Sequence, residues 1–451
     1  MSVGTPTVCA VNAVQTYRYL QPSALRPAGL DLQTSGGPAA NPRFFSGFLT
    51  TPAAAAAGLL AVAEVARTRY HQPVSPASLD PVVTGSRERL RFESFSGCCG
   101  VYARMDVVPA GFDGEVVGHG TTNVDVNTPL REALARVGGI EPLHVAVGPD
   151  DLTVSTMDGA VVERKVPLPR RWLRGFAEVQ VLSAGFEPRA EIPAAEAVAF
   201  LRRLPGARDR SVLWAVPAGR TLRLTSRPVP GAVCLAGAGR LAALRGLLRH
   251  ARSLRVYGPA VRAGSPAVPS TWELDTGALR LSLTLSPEPN RGFSGEGAAL
   301  LALAGDEVID DAELVGGLLA WDPTVDVAAL ADATGLPDDR VRAALAQLGT
   351  AGRVGFDVAE GAYFHRAMPY DAGRAERDNP RLVGARTLVE QGAVRRDGEH
   401  ATVRSGDEDY RVRRLPDGTF TCTCRWWAKH RGQRGPCKHA LAVAMMAEVT
   451  V

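Results

Sequence analysis

The 451-residue sequence predicts an α+β chain of several domains: a mixed N-terminal body, a helical unit closed by a hairpin, and a small metal-stapled C-terminal module. Three observations carry this reading. The chain is longer than one hydrophobic core serves. Period-two alternation, as in ERLRFESF (88–95) and DLTVSTMDGAVVERKV (151–166), is interleaved with helical periodicity along the first 290 residues. Cys422, Cys424 and Cys437 crowd together near the end, while Cys9, Cys98, Cys99 and Cys234 are scattered.

Composition is ordinary for globular chains, with 45% hydrophobic and 22% charged residues, and carries no information about chemistry. The longest apolar run, PAAAAAGLLAVAEVA (52–66), is broken by Glu64 and falls short of the roughly 20 residues a bilayer span needs, so a buried helix is expected and no membrane partner. The opening MSVGTPTVCAVNAVQTYRY has no cationic leader region. Seven cysteines, an odd and sparse set, point to reduced thiols. A cytoplasmic protein is the expectation.

Along 1–190, helices are expected over 52–70 and over 129–137, where PLREALARV starts with Pro129 at a first turn. Residues 191–290 give a helix at PAAEAVAFLRRL, strands at SVLWAVP and TLRLTSR, an Arg/Leu helix over 238–252 and a hairpin turning near Thr276 and Gly277. This stretch is either a second domain or a continuation of the first. Within 291–370, helices over 296–304 and 311–320 precede two more. Val327, Leu330 and Ala331 face one way on the first, Gly335 supplies the turn, Pro337 opens the second, and Val341, Leu345 and Leu348 form its apolar face. Two short strands then flank Glu360 and Gly361. That order resembles a winged helix-turn-helix. The last unit, 376–451, reads as a short helix (PRLVGARTLVEQG), strands around 401–405 and 409–415, a cysteine strand and a final helix from 438. Phe-Ser-Gly at Phe45, Phe95 and Phe293 recurs at unequal intervals and is no repeat.

The final unit holds the strongest chemical signal. Zinc takes four thiolate or imidazole ligands in a tetrahedron, and Cys422, Cys424, Cys437 and His439 supply such a set. Cys422 and Cys424, two residues apart, share one face of a strand. Cys437 and His439 point about 200° apart on a regular helix, so Cys437 is placed just before the helix or in its first turn, where the helix N-terminus favours its thiolate. His430 also lies between the pairs, in AKHRGQRG, and is read as a solvated loop residue. Cys-x-Cys followed by Cys-x-His, with a hairpin before and a helix after, resembles the SWIM-type zinc finger family. In that family the four residues bind one structural Zn²⁺ and the module contacts DNA or protein.

RFFSGFL, ARTRYHQP, RFESFSGCCGVYARMDV, TTNVDVN, RGFSGEG and WWAKHRGQRGPCKH are, taken together, similar to a full-length family of bacterial SWIM-finger proteins. Members are encoded near an AAA+ ATPase and a von Willebrand factor A-domain protein, which implies a protein partner within a multi-component system.

Between Arg411 and Lys438, eight bases face one acid, Asp417. Arg425, Trp426, Trp427, Lys429, Arg431, Arg434 and Lys438 therefore form a candidate nucleic-acid surface. The alternative is a solvated face around an anionic zinc site with both tryptophans packed inward. Residues 326–370 carry six acids against four arginines, and Asp338 and Asp339 open the second helix where a DNA reader presents bases, so that unit is expected to bind protein. Gly237-x-Gly239-x-x-Ala242 reads as a tight turn because no acidic partner follows it. Cys98 and Cys99, beside Ser96 with His119 and Asp125 downstream, lack a nucleophile elbow. The expectation is a zinc-binding, non-enzymatic interaction protein, acting as an adaptor; the alternative is a DNA-binding regulator working through the basic finger.

Overall fold

The computed structural model describes residues 43–446 apart from 71–80 and short breaks at 87, 116–117, 207–208, 306, 320–323, 367 and 369–372, together with 24–26 and 29–31. The opening stretch read for a leader, with Cys9, lies outside the described residues, as does part of ARTRYHQP. Among the described residues no helix is long and apolar enough to cross a membrane.

An eight-stranded antiparallel sheet organises the molecule. Its order is Glu187–Pro193, Ser253–Gly258, Ser270–Asp275, Leu279–Leu285, Val101–Val107, Arg89–Phe95, Val82–Ser86 and Gly120–Asn123. Strands come from both the 1–190 and the 191–290 stretches, and residue 190 falls inside the strand Glu187–Pro193. The hairpin read near Gly277 closes two of these strands, with that glycine at φ 88°.

Period-two alternation gives this sheet two distinct faces. Leu90, Phe92, Ala103, Met105, Leu254, Val256, Trp272, Leu274, Leu281 and Leu283 line the apolar one, all fully buried. Helix α1 (Pro52–Arg67) lies against it. Three further helices, α2 (Thr128–Arg136), α3 (Arg170–Ser183) and α4 (Ala194–Arg203), join the body with a five-stranded sheet of Gly159–Arg164, Asp151–Thr156, His144–Val147, Phe45–Leu49 and Phe112–Glu115 and a three-stranded sheet of Thr221–Thr225, Val212–Ala218 and Val233–Ala236. The Arg/Leu segment expected as an α-helix is a 3₁₀-helix over Ala238–His250. Leu241, Leu244 and Leu247 recur every third residue and are fully buried, and a winding of three residues per turn stacks them on one line.

The other face is polar, yet it too is buried. Directly opposed residues across four strands read Asp275, Arg280, Asp106, Arg91, and the neighbouring row reads Arg255, Glu273, Ser282, Arg104, Glu93. Opposite charges therefore sit side by side, the favourable arrangement for cross-strand pairs. Arg91 Nε and Arg104 Nε donate to the two oxygens of Asp106 at 2.8 and 2.7 Å.

What covers this face comes from the C-terminal third. Helices α5 (Val308–Leu318), α6 (Val327–Thr334) and α7 (Asp338–Thr350) precede a hairpin of Val354–Asp357 with Ala362–His365. Asp326 caps α6 by accepting from the Ala328 and Ala329 N–H groups. The hairpin lays Asp357 onto the ladder, where it accepts from Arg280 at 2.9 Å and forms ion pairs with Arg104 at 2.7 Å and Arg91 at 3.6 Å. Arg366, following the hairpin, grips Glu93 through two nitrogens at 2.7 and 2.5 Å and donates to the Gly352 and Val354 carbonyls. Phe364 lies under the Arg91 guanidinium, 4.0 Å from the ring centre. Tyr102 donates to Glu93 within the same network. Glu273, fully buried, has no hydrogen bond to either carboxylate oxygen, and burial pushes its pKa up to about 7.

The helix expected over 296–304 is instead a short 3₁₀ turn, Ala298–Leu300, following the glycine-rich RGFSGEG (291–297). The Glu178 carboxylate accepts from the Ala298 N–H at 2.8 Å and anchors the turn; burial pushes that carboxyl up to about 7. The chain closes with α8 (Arg374–Asp378), α9 (Pro380–Glu390), a four-stranded sheet of Val394–Asp397, His400–Ser405, Glu408–Arg414 and Phe420–Cys422, then α10 (Arg425–His430) and α11 (Lys438–Met445).

Burial alone would raise the Asp357 pKa, but Arg104, Arg280 and Arg91 hold it far below the usual carboxylate range. A depressed folded-state pKa stabilises the fold above the unfolded value, about 4, and that contribution is lost as the pH falls further. Asp357→Ala leaves three buried guanidinium groups short of a partner and is expected to cost about 3 to 5 kcal/mol. Glu360→Ala, at the exposed rim of the cluster, is expected to cost less than about 1 kcal/mol. Denaturant melts of both variants at neutral pH and at about pH 3 check this; the gap between Asp357→Ala and the parent protein should narrow at the lower pH.

Candidate metal centre

Four side chains converge where the C-terminal sheet meets the last two helices. Cys422 ends the strand Phe420–Cys422, and Val412 opposite it faces the same core. Cys424, expected on that strand, lies beyond its end as the N-cap of α10, its Sγ accepting from the Trp427 N–H at 3.4 Å. The strand stops because the chain turns into a helix after one more residue. Cys437 is the N-cap of α11, with Sγ accepting from the Ala440 N–H, and His439 sits in the first turn. Two of the three thiols thus each cap a helix, where the backbone dipole favours thiolate.

The ligand atoms of Cys422, Cys424, Cys437 and His439 all lie within 4.8 Å of one another, and all four residues are buried. Cys422 Sγ is 3.7 Å from His439 Nδ1. Zinc–sulfur and zinc–nitrogen bonds of about 2.3 and 2.0 Å at a tetrahedral angle separate the two ligands by about 3.5 Å, so the site has zinc dimensions with Nδ1 as the ligating nitrogen. Cys437 is pushed down to about 4, chiefly by its hydrogen bond with Cys422, and Cys422 is driven up by that same bond. Zinc bound here is structural, because four protein ligands leave no open position. Tyr410 stacks on the His439 ring at 4.2 Å and fixes its orientation. His430 ends α10 half-buried against Trp426, outside the cluster; it is helical rather than the loop residue expected.

The surrounding basic residues divide into two sets. Arg434 donates to the Gly295 carbonyl at 2.8 Å, and Lys438 Nζ lies 2.9 Å from Ser405 Oγ. Trp426 is packed between Arg381 and Arg434, whose guanidinium carbons stand 4.5 and 5.2 Å from its ring centre. Arg381 also donates to the carbonyls of Arg434, Pro436 and Glu296. Gly432, at φ 80°, leaves just enough room for the Trp427 ring above it. Of the candidate nucleic-acid residues, Arg434 docks the module onto loop 291–297 with Trp426 packed against it, Lys438 is taken up inside the module by Ser405, and Arg425, Lys429 and Arg431 remain exposed. Charge counting missed Arg381, whose role depends on where loop 291–297 lies.

Elsewhere, Gly237 adopts φ 66° between the strand Val233–Ala236 and the 3₁₀-helix, a turn as expected. Cys98 and Cys99 are buried, and burial pushes the Cys99 thiol up to about 12. Cys99, at φ 53°, shapes the turn whose carbonyl accepts from the Phe293 N–H.

Residues 413–448 match the SWIM zinc finger family. No curated protein matches the chain. Among solved structures it is similar to proliferating cellular nuclear antigen from Entamoeba histolytica, at 11% identity and a TM-score of 0.35 over 55% of this chain and 99% of that one.

The purified protein is expected to carry about one zinc per chain. Cys424→Ala and His439→Ala should lose it and His430→Ala should keep it, as elemental analysis will show. The docking seam gives a second test. Gly435 has φ 72°, and a Cβ there would collide with the Gly297 carbonyl. Gly435→Ala should retain zinc yet exchange amide hydrogens faster over 291–299; unchanged exchange would contradict the docking role.

Proposed function

We propose that this is a zinc-stapled, non-enzymatic protein-interaction component, an adaptor within a multi-component system, in which residues 308–365 form a winged helix used for packing against protein. One observation carries the reading. Helix α7, in the position that reads DNA in a winged helix, lies against α3: Gln180 Nε2 donates to the Leu345 carbonyl at 2.8 Å, and Ala344 to Thr350 are all buried. The hairpin that serves as wing is taken up by the ionic ladder. Both elements that would meet nucleic acid are thus occupied within the chain. The high pKa of the buried Cys99 thiol speaks against covalent catalysis there. By the family resemblance, the partner is an AAA+ ATPase or a von Willebrand factor A-domain protein, in the cytoplasm.

A second reading, DNA binding through the finger, is favoured by the exposure of Arg425, Lys429 and Arg431. Affinity capture with the tagged full-length protein, with and without nuclease, separates the two. Protein partners should survive nuclease treatment; loss of every partner on digestion would replace the adaptor by the DNA-binding reading.

A further inference from the structure

The four-stranded sheet of the C-terminal module has an inner face, Val403, Ala401, Val412 and Cys422, packed on α9 and α11. Among the described residues its outer face carries no helix, and one row of that face holds bases. Arg395, Thr402 and Arg411 are directly opposed across three strands and so share a face. Thr423 continues the row on the fourth strand's extension, accepting from the Arg411 N–H at 3.0 Å through Oγ1 and donating its own N–H to the Arg411 carbonyl at 3.1 Å. Two residues on, α10 begins, with Arg425 and Lys429 one turn apart on the same side and Arg431 at its left-handed cap.

All five bases are exposed, and among the described residues none has a carboxylate within ion-pair distance. The contrast with their neighbours is direct. Arg404 faces Asp409 at 3.5 Å and Arg413 faces Glu399 at 3.7 Å. The acids of this face are thus spent on other arginines, save Asp397, which stands in the adjacent row opposite His400. Five like charges in a continuous strip repel one another, and a polyanion lying along them removes that cost.

The aromatic rings decide which polyanion. Binding of single strands relies on rings free to stack on bases. Here Trp426 is held between Arg381 and Arg434, Trp427 lies over Gly432, and Tyr410 is stacked on His439. The strip offers charge without a stacking platform, which fits carboxylates. We propose that Arg395, Arg411, Arg425, Lys429 and Arg431 form the docking strip for an acidic, Asp/Glu-rich segment of a protein partner. This rests on the adaptor reading and names the chemistry of the segment that reading requires.

The experiment uses the full-length zinc-loaded protein and two labelled probes, an oligoglutamate peptide and a random-sequence duplex DNA, in anisotropy titrations at about 50 and 200 mM salt. The strip variant Arg395→Gln/Arg411→Gln/Arg425→Gln/Lys429→Gln/Arg431→Gln is compared with a control, Arg404→Gln/Arg413→Gln, after zinc content confirms that the module is folded in both variants. The peptide should bind the parent and the control equally and the strip variant at least about tenfold more weakly, with DNA binding lost at the higher salt. Equal loss in strip variant and control, no peptide binding by the parent, or DNA held more tightly than peptide at both salts would each overturn the strip. A nuclease-resistant partner captured by the strip variant as well as by the parent would overturn the strip and leave the adaptor reading standing.

Discussion

The structure depends on a constraint that follows from one residue type. A guanidinium group cannot be deprotonated in a protein and cannot be buried without a partner. Arg91, Arg104 and Arg366 are 1 to 2% exposed, and their partners come from widely separated parts of the chain. Asp106 is on the sheet itself, but Asp357 and Arg366 arrive from the hairpin. Without the hairpin the polar face of the sheet would stand in water as an ordinary solvated face. With it, the face becomes an interior in which each charge has a fixed counterpart. The body and the helical unit are in this sense one cooperative structure.

A second junction repeats the principle with neutral groups. Arg381 and Arg434 are paired with carbonyl oxygens of the loop and the finger, not with carboxylates, and both lie over the ring of Trp426. Gly297 and Gly435 let the two backbones approach where any side chain would intervene. Loop 291–297 also joins the turn at Cys99 through Phe293. The zinc site therefore orders more than its own hairpin and helix, since Pro436, whose carbonyl Arg381 holds, immediately precedes the ligand Cys437.

Much of this was legible in the sequence, where the signal is local. The four ligands follow from residue type and spacing. The helices 52–67, 194–203, 380–390 and 438–445 follow from periodicity and capping, and the turns at Gly277 and Gly335 from their left-handed glycines. What was not legible is non-local. Alternation in ERLRFESF gives a strand with a polar side, but not that Asp357, hundreds of residues later, buries that side. A count of bases around the finger cannot tell Arg434, spent on Gly295, from Arg431, which is free to meet solvent. The 3₁₀ winding of 238–250 was in principle readable, because leucine recurs every third residue rather than every third and fourth.

The strand order has a kinetic corollary. Val101–Val107 pairs with Leu279–Leu285, so the middle of the central sheet is a contact between residues made far apart in time. At about 5 to 20 residues per second, the ribosome needs roughly 10 to 40 s to supply the second strand after the first. Through that interval the strand Val101–Val107 presents an unpaired edge, alternately apolar and polar. Its charged positions, Arg104 and Asp106, work against edge-to-edge association with other nascent chains. The residues that later lock the finished protein together thus also guard the unfinished one on its way off the ribosome.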